Sequence, residues 1–155
     1  MSSLAAAGEP RPPLFLHHAM GTRFELLLPG RSREEAGPIA ERAFEVIDEW
    51  HATLNAFSPA GFVGAFNASE PGTWVRTDRD LWSLLSFCRT SWKKSAGAFD
   101  PAIGGLMRHL GLRGETPPTD APPPWGFRHL EFDENALAVR RLAAVELDFG
   151  SVAKG

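Results

Sequence analysis

The sequence predicts an α+β fold, in which antiparallel strands pack with two main helices. Short strand-like runs come first, two capped amphipathic stretches follow, and strand-like runs return near the end. This grouping differs from the strict alternation of strands and helices in a doubly wound fold. A chain of 155 residues with 43% hydrophobic and 23% charged residues can bury one core. We therefore expect one soluble globular domain.

The amino-terminal part is predicted to be a flexible tail followed by two strands. Residues 1–13 are small and proline-bearing, without the apolar stretch of a signal peptide. Leu14–Leu16 and Phe24–Leu28 are strand-like, and Ala19–Thr22 is predicted to connect them. Pro29 and Gly30 end the second run.

A capping box predicts the first helix, because Ser32 is followed three residues later by Glu35. Pro38 lies inside the stretch, so we expect the helix to begin near it. The apolar residues at helical spacing are Ile39, Ala43, Val46, Ile47, Trp50 and Leu54.

The second helix is predicted to be capped by Thr77 with Asp80 and to end at Gly97. Its buried stripe is predicted to contain Leu81, Leu84, Leu85, Cys88 and Trp92. Because Cys88 falls on this stripe, a buried structural thiol is favoured over a reactive one.

The carboxyl-terminal part is predicted to return to strands. Leu130–Phe132 and Leu137–Val139 form a predicted hairpin, and Val145–Asp148 alternates like another strand. A turn at Gly150 and Ser151 normally leads into a helix, and the chain stops there. We therefore expect a domain truncated at its carboxyl end.

Charge and composition argue against several function classes. The net charge is −3 and no basic stripe occurs, which argues against nucleic acid as a partner. No apolar run is long enough for membrane insertion. The five histidines lack metal-ligand spacing, and His51 is predicted to be a surface or boundary residue of the first helix. As written, the chain is expected in the cytoplasm; a longer true amino terminus would allow a periplasmic or membrane-associated location.

The candidate site residues have ordinary structural explanations when each is taken alone. Asp100, before Pro101, could cap a turn, and Asp148 could satisfy amides that follow a strand. Met20 could belong to a simple β-turn. The turn after Asp148 could also direct free backbone N–H groups at an anion.

Five segments together resemble the ApbE family of flavin transferases. Ala19–Thr22 with Phe24 resembles the family's opening "A-M-G-T-x-F", and Ser95–Gly104 resembles "S-G-G-A-F-D-P-T-V-G". Leu147–Gly155 is similar to "L-D-L-G-G-I-A-K-G". Two shorter matches lie at Leu54–Asn67 and Trp125–Phe127. The segments keep the family's order and cover nearly all of the chain after residue 14, so residues 14–155 are interpreted as the amino-terminal portion of an ApbE-like domain.

The resemblance implies transfer of FMN from FAD to a threonine hydroxyl of an acceptor protein, with magnesium present and AMP released. It names no catalytic residue. The positions implied in FAD binding are Met20, Phe57, Ala98, Phe99, Asp100 and Asp148. Ser151 is implied as one magnesium contact, and the others would come from a region that follows in the family.

Two departures from the family pattern bear on this expectation. Phe57 stands where tyrosine is common, which keeps ring stacking and removes a hydroxyl. Ala96 replaces a glycine, which is harmless unless that backbone needs a positive φ. The alternatives are a non-catalytic FAD-binding module and an inactive fragment.

Overall fold

The computed structural model describes residues 11–113, 120–150 and 152 and confirms the α+β fold class. By its internal contacts the chain divides into two compact units, residues 1–51 and 52–155. Most of the predicted tail lies outside the described residues, as does Ser151. Across the described part, no helix combines the length and the hydrophobicity that crossing a bilayer requires.

The first unit begins with the predicted pair of strands. Strands β1 (Leu14–Ala19) and β2 (Thr22–Leu27) are antiparallel, and Ala19 pairs with Thr22. The two residues between them, Met20 and Gly21, have φ angles of 51° and 68°. Two consecutive positive φ angles are typical of the type I′ turn, whose twist matches that of the strands.

Helix α1 (Arg33–Leu54) starts at the predicted capping box. The Glu35 amide donates to Ser32 Oγ at 3.2 Å, and the Ser32 amide donates to Glu35 Oε2 at 2.9 Å. The bond from the Ser32 backbone is the main reason that the pKa of Glu35 is lowered. The expectation that the helix begins near Pro38 is wrong. Pro38 is solvent-exposed, so the carbonyl that loses an amide partner can be hydrated.

The buried face of α1 differs from the predicted stripe. Ala36 and Ala40 are the residues of α1 that are almost fully buried, whereas Ile39 and Val46 are 39% and 41% exposed. Helical spacing defines an apolar arc but does not fix which edge of that arc meets the core. The small alanine side chains allow close approach along one edge.

The described residues of the second unit form three α-helices, a short 3-10 helix and three strands. The elements are α2 (Phe62–Ala68), β3 (Val75–Arg76), α3 (Arg79–Lys94), α4 (Gly104–His109), the 3-10 helix Phe127–His129, β4 (Leu130–Asp133) and β5 (Ala138–Arg141). The strands are ordered β3-β5-β4 with antiparallel neighbours, and the predicted hairpin is confirmed as β4–β5.

Helix α3 is capped by a different residue from the one predicted. Asp78 is the N-cap, and its Oδ1 accepts the Leu81 amide at 2.8 Å. The Thr77 hydroxyl instead donates to the Leu137 carbonyl at 2.9 Å. A carboxylate next to the first turn competes well for free amides, and the sheet neighbour at Leu137 offers Thr77 another partner.

The predicted stripe of α3 faces the core. Leu81, Leu85 and Cys88 are buried, and Trp92 is half-buried. Burial raises the pKa of the Cys88 thiol to about 11, which agrees with a structural role for this cysteine. The same core holds Phe66, Val139 and Leu147 without solvent exposure.

The segment Val145–Asp148 is extended but is not a strand, so that prediction is wrong. Val145 and Leu147 are fully buried, as the alternation indicated. Its backbone partners are single groups on other segments: the Asp148 amide donates to the Pro101 carbonyl, and the Glu146 carbonyl accepts the Gly104 amide. An alternating sequence pattern indicates that one face of a segment is buried. A β-strand also needs a ladder of hydrogen bonds to a neighbouring strand.

Ala96 has a φ angle of 51°, so the family's glycine suits this position better. The left-handed conformation costs an L-residue roughly 1–2 kcal/mol relative to glycine. We expect Ala96→Gly to raise the free energy of unfolding by about 1 kcal/mol, because part of this gain is offset by unfolded-state entropy. Urea denaturation measures it, with exposed Ala98→Gly as the control, which should not stabilise. Equal effects of the two substitutions would contradict this explanation.

Candidate functional site

Asp100 joins two loops of the second unit. Its Oδ1 accepts the Ala102 amide at 2.8 Å, and the Phe127 amide donates to both carboxylate oxygens at 3.0 Å. The Gly126 amide adds a bond to the Ala102 carbonyl at 2.8 Å. Oδ2 therefore keeps room for another donor, since each carboxylate oxygen can accept two bonds.

Glycine at 126 is required by both conformation and space. Its φ angle is 106°, a region that other residues rarely adopt. A Cβ there would lie 2.9 Å from Arg128 Nη1 and 3.4 Å from Asp100 Oδ2. The Trp125–Phe127 segment, identified in the sequence only by resemblance, thus forms the surface against which the Asp100 carboxylate lies.

Asp148 ends the extended segment beside the same loop. Its amide donates to the Pro101 carbonyl at 2.8 Å, which places Asp148 next to the residue that follows Asp100. Its Oδ1 accepts the Gly150 amide at 2.8 Å, and its Oδ2 pairs with Arg113 at 2.5 Å. The backbone of Asp148 is therefore anchored to the residue that follows Asp100, while its carboxylate is held by the Gly150 amide and Arg113.

Arg113 links Asp148 to Phe57. Its guanidinium carbon lies 5.3 Å from the centre of the Phe57 ring, and its side chain is only 11% exposed. Gly104 makes room for it, because a Cβ there would lie 3.1 Å from Arg113 Nη2. The Phe57 ring itself remains 75% exposed. An exposed aromatic face beside a held cation can take a planar, anionic ligand.

Asn67 and Arg141 hold the segment that carries Asp148. The Asn67 side chain makes two hydrogen bonds to the Leu147 backbone. Its Nδ2 donates to the Leu147 carbonyl at 3.0 Å, and its Oδ1 accepts the Leu147 N–H at 2.8 Å. Arg141 donates to the Val145 carbonyl at 2.9 Å and to the Ser69 carbonyl. Sequence reasoning gave neither residue a role, although Asn67 lay within a segment of the resemblance. A buried arginine on a strand leaves no signal in a single sequence.

Fewer described contacts define the positions of the remaining candidate residues. Ala98 is exposed and Phe99 half-buried, with the Phe99 amide bonded to Ser95 Oγ at 3.0 Å. Both directly precede Asp100 along the chain. Met20 belongs to the first unit and Ser151 lies outside the described residues.

Met20 lies in a shallow pocket of the first unit. The pocket has a volume of about 400 Å³ and is lined by His18, Ala19, Met20, Gly21, Thr22, Arg23 and His51. The Met20 amide donates to His51 Nδ1 at 2.7 Å. His51 is half-buried, as expected for a boundary residue, but this bond was not foreseen.

The described residues do not by themselves fit a magnesium ion. Within residues 11–113, 120–150 and 152, no three His, Cys, Asp or Glu side chains are grouped closely enough to hold a metal. The Asp148 carboxylate is engaged by Arg113 and by the Gly150 amide.

Comparison with models of protein families shows to which family the chain belongs. The model of the ApbE family matches residues 20–155, a range that contains Met20, Phe57, Asp100 and Asp148. The chain belongs to the ApbE family. This confirms the resemblance seen in the sequence.

Two relatives carry the name FAD:protein FMN transferase, so the homologues of this ApbE chain are transferases. The Chlamydia pneumoniae protein is 29% identical over 126 residues, and the Treponema pallidum protein is 29% identical over 138 residues. The matches cover 74% and 81% of this chain. The chain spans 38% of the length of each relative.

Solved ApbE structures share the fold. The Thermotoga maritima ApbE protein superposes with a TM-score of 0.79 at 22% identity, over 94% of this chain and 49% of that one. The Pseudomonas stutzeri flavinyl transferase ApbE gives 0.69 at 20% identity, over 92% and 49%. The chain thus corresponds to about half of the fold seen in those proteins.

Proposed function

We propose that this chain is the FAD-binding portion of an FAD:protein FMN transferase. The observation that carries the proposal is the connected set Phe57, Arg113, Asp148 and Asp100, in which an exposed ring, a cation and two carboxylates are held together. Three of these four residues were implied in FAD binding by the family motifs. The names of the two relatives support the reaction type.

The proposed reaction breaks a phosphoanhydride bond of FAD and forms a phosphoester bond to the acceptor. The hydroxyl oxygen of an acceptor threonine bonds to the FMN phosphorus, the pyrophosphate bond to AMP breaks, and the threonine proton is released. The acceptor is a protein that presents such a threonine. These details come from the family resemblance and belong to the proposal.

The residues of the second unit are suited to binding and orienting FAD. The exposed Phe57 ring can stack on the isoalloxazine or adenine ring. Arg113, whose guanidinium carbon lies 5.3 Å from the centre of the Phe57 ring, can pair with pyrophosphate oxygens as it pairs with Asp148. Asp100 Oδ2 keeps one acceptor position for a ring or ribose donor. Ala98 and Phe99 would contact FAD as neighbours of Asp100, and Met20 as part of the first unit.

Magnesium is proposed from the family resemblance, with Ser151 as one contact. When bound, the ion would neutralise charge on the pyrophosphate. The described residues supply no group of ligands for it, so most of its contacts would come from elsewhere in the complete enzyme.

The test is FAD binding by the purified chain, and FMN transfer once the region that follows in the family is supplied. We expect quenching of FAD fluorescence with saturation, weakened at least tenfold by Arg113→Gln, which removes the cation beside Phe57 and Asp148. Arg79→Gln is the control: it changes another arginine of the second unit, at the first residue of α3. When the region that follows in the family is supplied together with magnesium and an acceptor protein, covalent flavin should survive denaturation and disappear when the acceptor threonine becomes alanine.

The outcomes separate the candidate functions. FAD binding by the chain without covalent transfer, even when the region that follows in the family is supplied, would support the non-catalytic FAD-binding module. A folded chain that does not bind FAD would contradict both readings.

A further inference from the structure

The Met20–Gly21 turn is held by a side chain from helix α1. The Met20 amide donates to His51 Nδ1 at 2.7 Å, across 31 residues of sequence. Both atoms belong to the first unit. The contact thus ties the turn that closes the β1–β2 hairpin to the helix that packs with it.

We propose that His51 is a positioning residue, which fixes the Met20 turn for FAD and makes FAD affinity depend on a neutral imidazole. The inference rests on the proposed function, because it takes Met20 as an FAD contact. His51 acts through the backbone of Met20 and is not assigned a contact with the reacting atoms.

Backbone conformation is the first reason. Met20 has a φ angle of 51° at a turn position that favours asparagine or glycine. A methionine does not hold this conformation by preference, so neighbouring contacts must stabilise it. The hydrogen bond from the Met20 amide to His51 Nδ1 is such a contact. Without it, the turn is expected to sample other conformations.

The protonation state of His51 is the second reason. A ring nitrogen accepts a hydrogen bond only when it carries no proton, so Nδ1 accepts and Nε2 holds the hydrogen. A fully protonated imidazolium has two donors and no acceptor. Protonation of Nδ1 therefore breaks this bond and frees the turn.

The charged groups around His51 come from three elements. His18 on β1 and Arg23 on β2 line the same pocket. On α1 itself, Asp48 and Glu49 precede His51, and Asp48 pairs with His17 at 2.7 Å. Arg23 pairs with Glu25 at 2.5 Å. Asp48 and Arg23 are thus each paired with another side chain of the first unit, and the Met20 amide is bonded to His51 Nδ1.

Variants at His51 give the main test. Fluorescence titration of the chain with FAD from pH 8 to pH 5.5 should show affinity falling on acidification. His51→Ala should weaken binding about tenfold at pH 8, the effect of losing one good hydrogen bond. His51→Asn should restore most of the affinity, because its side-chain oxygen takes the place of Nδ1, and should flatten the pH profile. Equal affinity and pH dependence in His51→Ala would overturn the proposal.

A matched control uses His17, which also joins β1 to α1. His17→Ala removes the contact with Asp48 but leaves the Met20 turn, so its pH profile should follow that of the unmodified chain. If this variant flattened the profile as His51→Ala does, general loosening of the hairpin would replace the proposed positioning role.

A measurement without FAD separates this inference from the proposed function. The Met20 amide resonance in a ¹⁵N spectrum should shift with acidification and lose that response in His51→Ala. If it does so while no FAD binds at any pH, the proposed function fails and the contact stands. If FAD binds while the resonance is unaffected by His51, the positioning role fails alone.

Discussion

Replacing Asp100 by alanine is expected to abolish measurable FAD binding and to lower the free energy of unfolding by about 2–4 kcal/mol. The carboxylate accepts the amides of Ala102 and Phe127, and both lose their partner in the variant. A hydrogen bond to a charged group contributes about 1.5–3 kcal/mol, and a buried orphaned amide adds a penalty. The two loops that flank the proposed flavin site would then be joined by the Gly126–Ala102 backbone bond without the carboxylate that reinforces it.

The measurements for Asp100 are urea denaturation and FAD titration at a temperature where all variants are folded. Asp133→Ala is the matched control, because Asp133 Oδ1 likewise accepts two backbone amides at 3.0 Å, in the β4–β5 hairpin. It should destabilise the chain and leave FAD affinity unchanged. Asp100→Asn should be intermediate, since it keeps one acceptor oxygen and places a second donor near the Phe127 amide. Unaltered FAD binding by Asp100→Ala would refute the assignment.

Replacing Arg141 by methionine is expected to lower the free energy of unfolding by about 3 kcal/mol and to weaken FAD binding. Arg141 is 7% exposed, and burial lowers its pKa because the charged form loses hydration. Its guanidinium satisfies the carbonyls of Val145 and Ser69, which methionine of similar length cannot do. Each buried carbonyl left without a donor costs roughly 1–3 kcal/mol. The loss frees the segment that carries Asp148.

Arg140 provides the control at the next position. It pairs with Glu131 at 2.6 Å and lies over the Trp74 ring, with its side chain 31% exposed. Arg140→Met should change stability by less than about 1 kcal/mol, as usual for a solvated ion pair. A domain of this size shifts its melting temperature by roughly 2–4 °C per kcal/mol, so calorimetry resolves the difference. Equal shifts would show that Arg141 has no special role.

Local patterns predicted the elements that short-range chemistry determines. The Ser32–Glu35 capping box, the β4–β5 hairpin and the stripe through Leu85 and Cys88 were confirmed, because each depends on residues close in sequence. The start of α1 was misplaced, because the capping box outweighed Pro38. The strand predicted at Val145–Asp148 was wrong, because its partners lie on loops far away in sequence.

The resemblance proposed members of the candidate site, and the contacts between them could not be predicted from the sequence. Family motifs pointed to Phe57, Asp100 and Asp148, and their joining through Arg113 needed the structure. Asn67 meets Leu147 across 80 residues, and such a pairing leaves no trace in one sequence. The hydrogen bond between His51 and the Met20 amide was not predicted either, because the sequence indicated only a surface or boundary residue of the first helix.

The lone cysteine has a consequence for experiments on this chain. Cys88 is fully buried in α3, and it is the single thiol of the sequence. A thiol reagent can reach it only during excursions in which the second unit opens, so the labelling rate measures the frequency of that opening. The native chain thus carries its own reporter, and changes in opening caused by a ligand can be followed without any flavin signal or added dye.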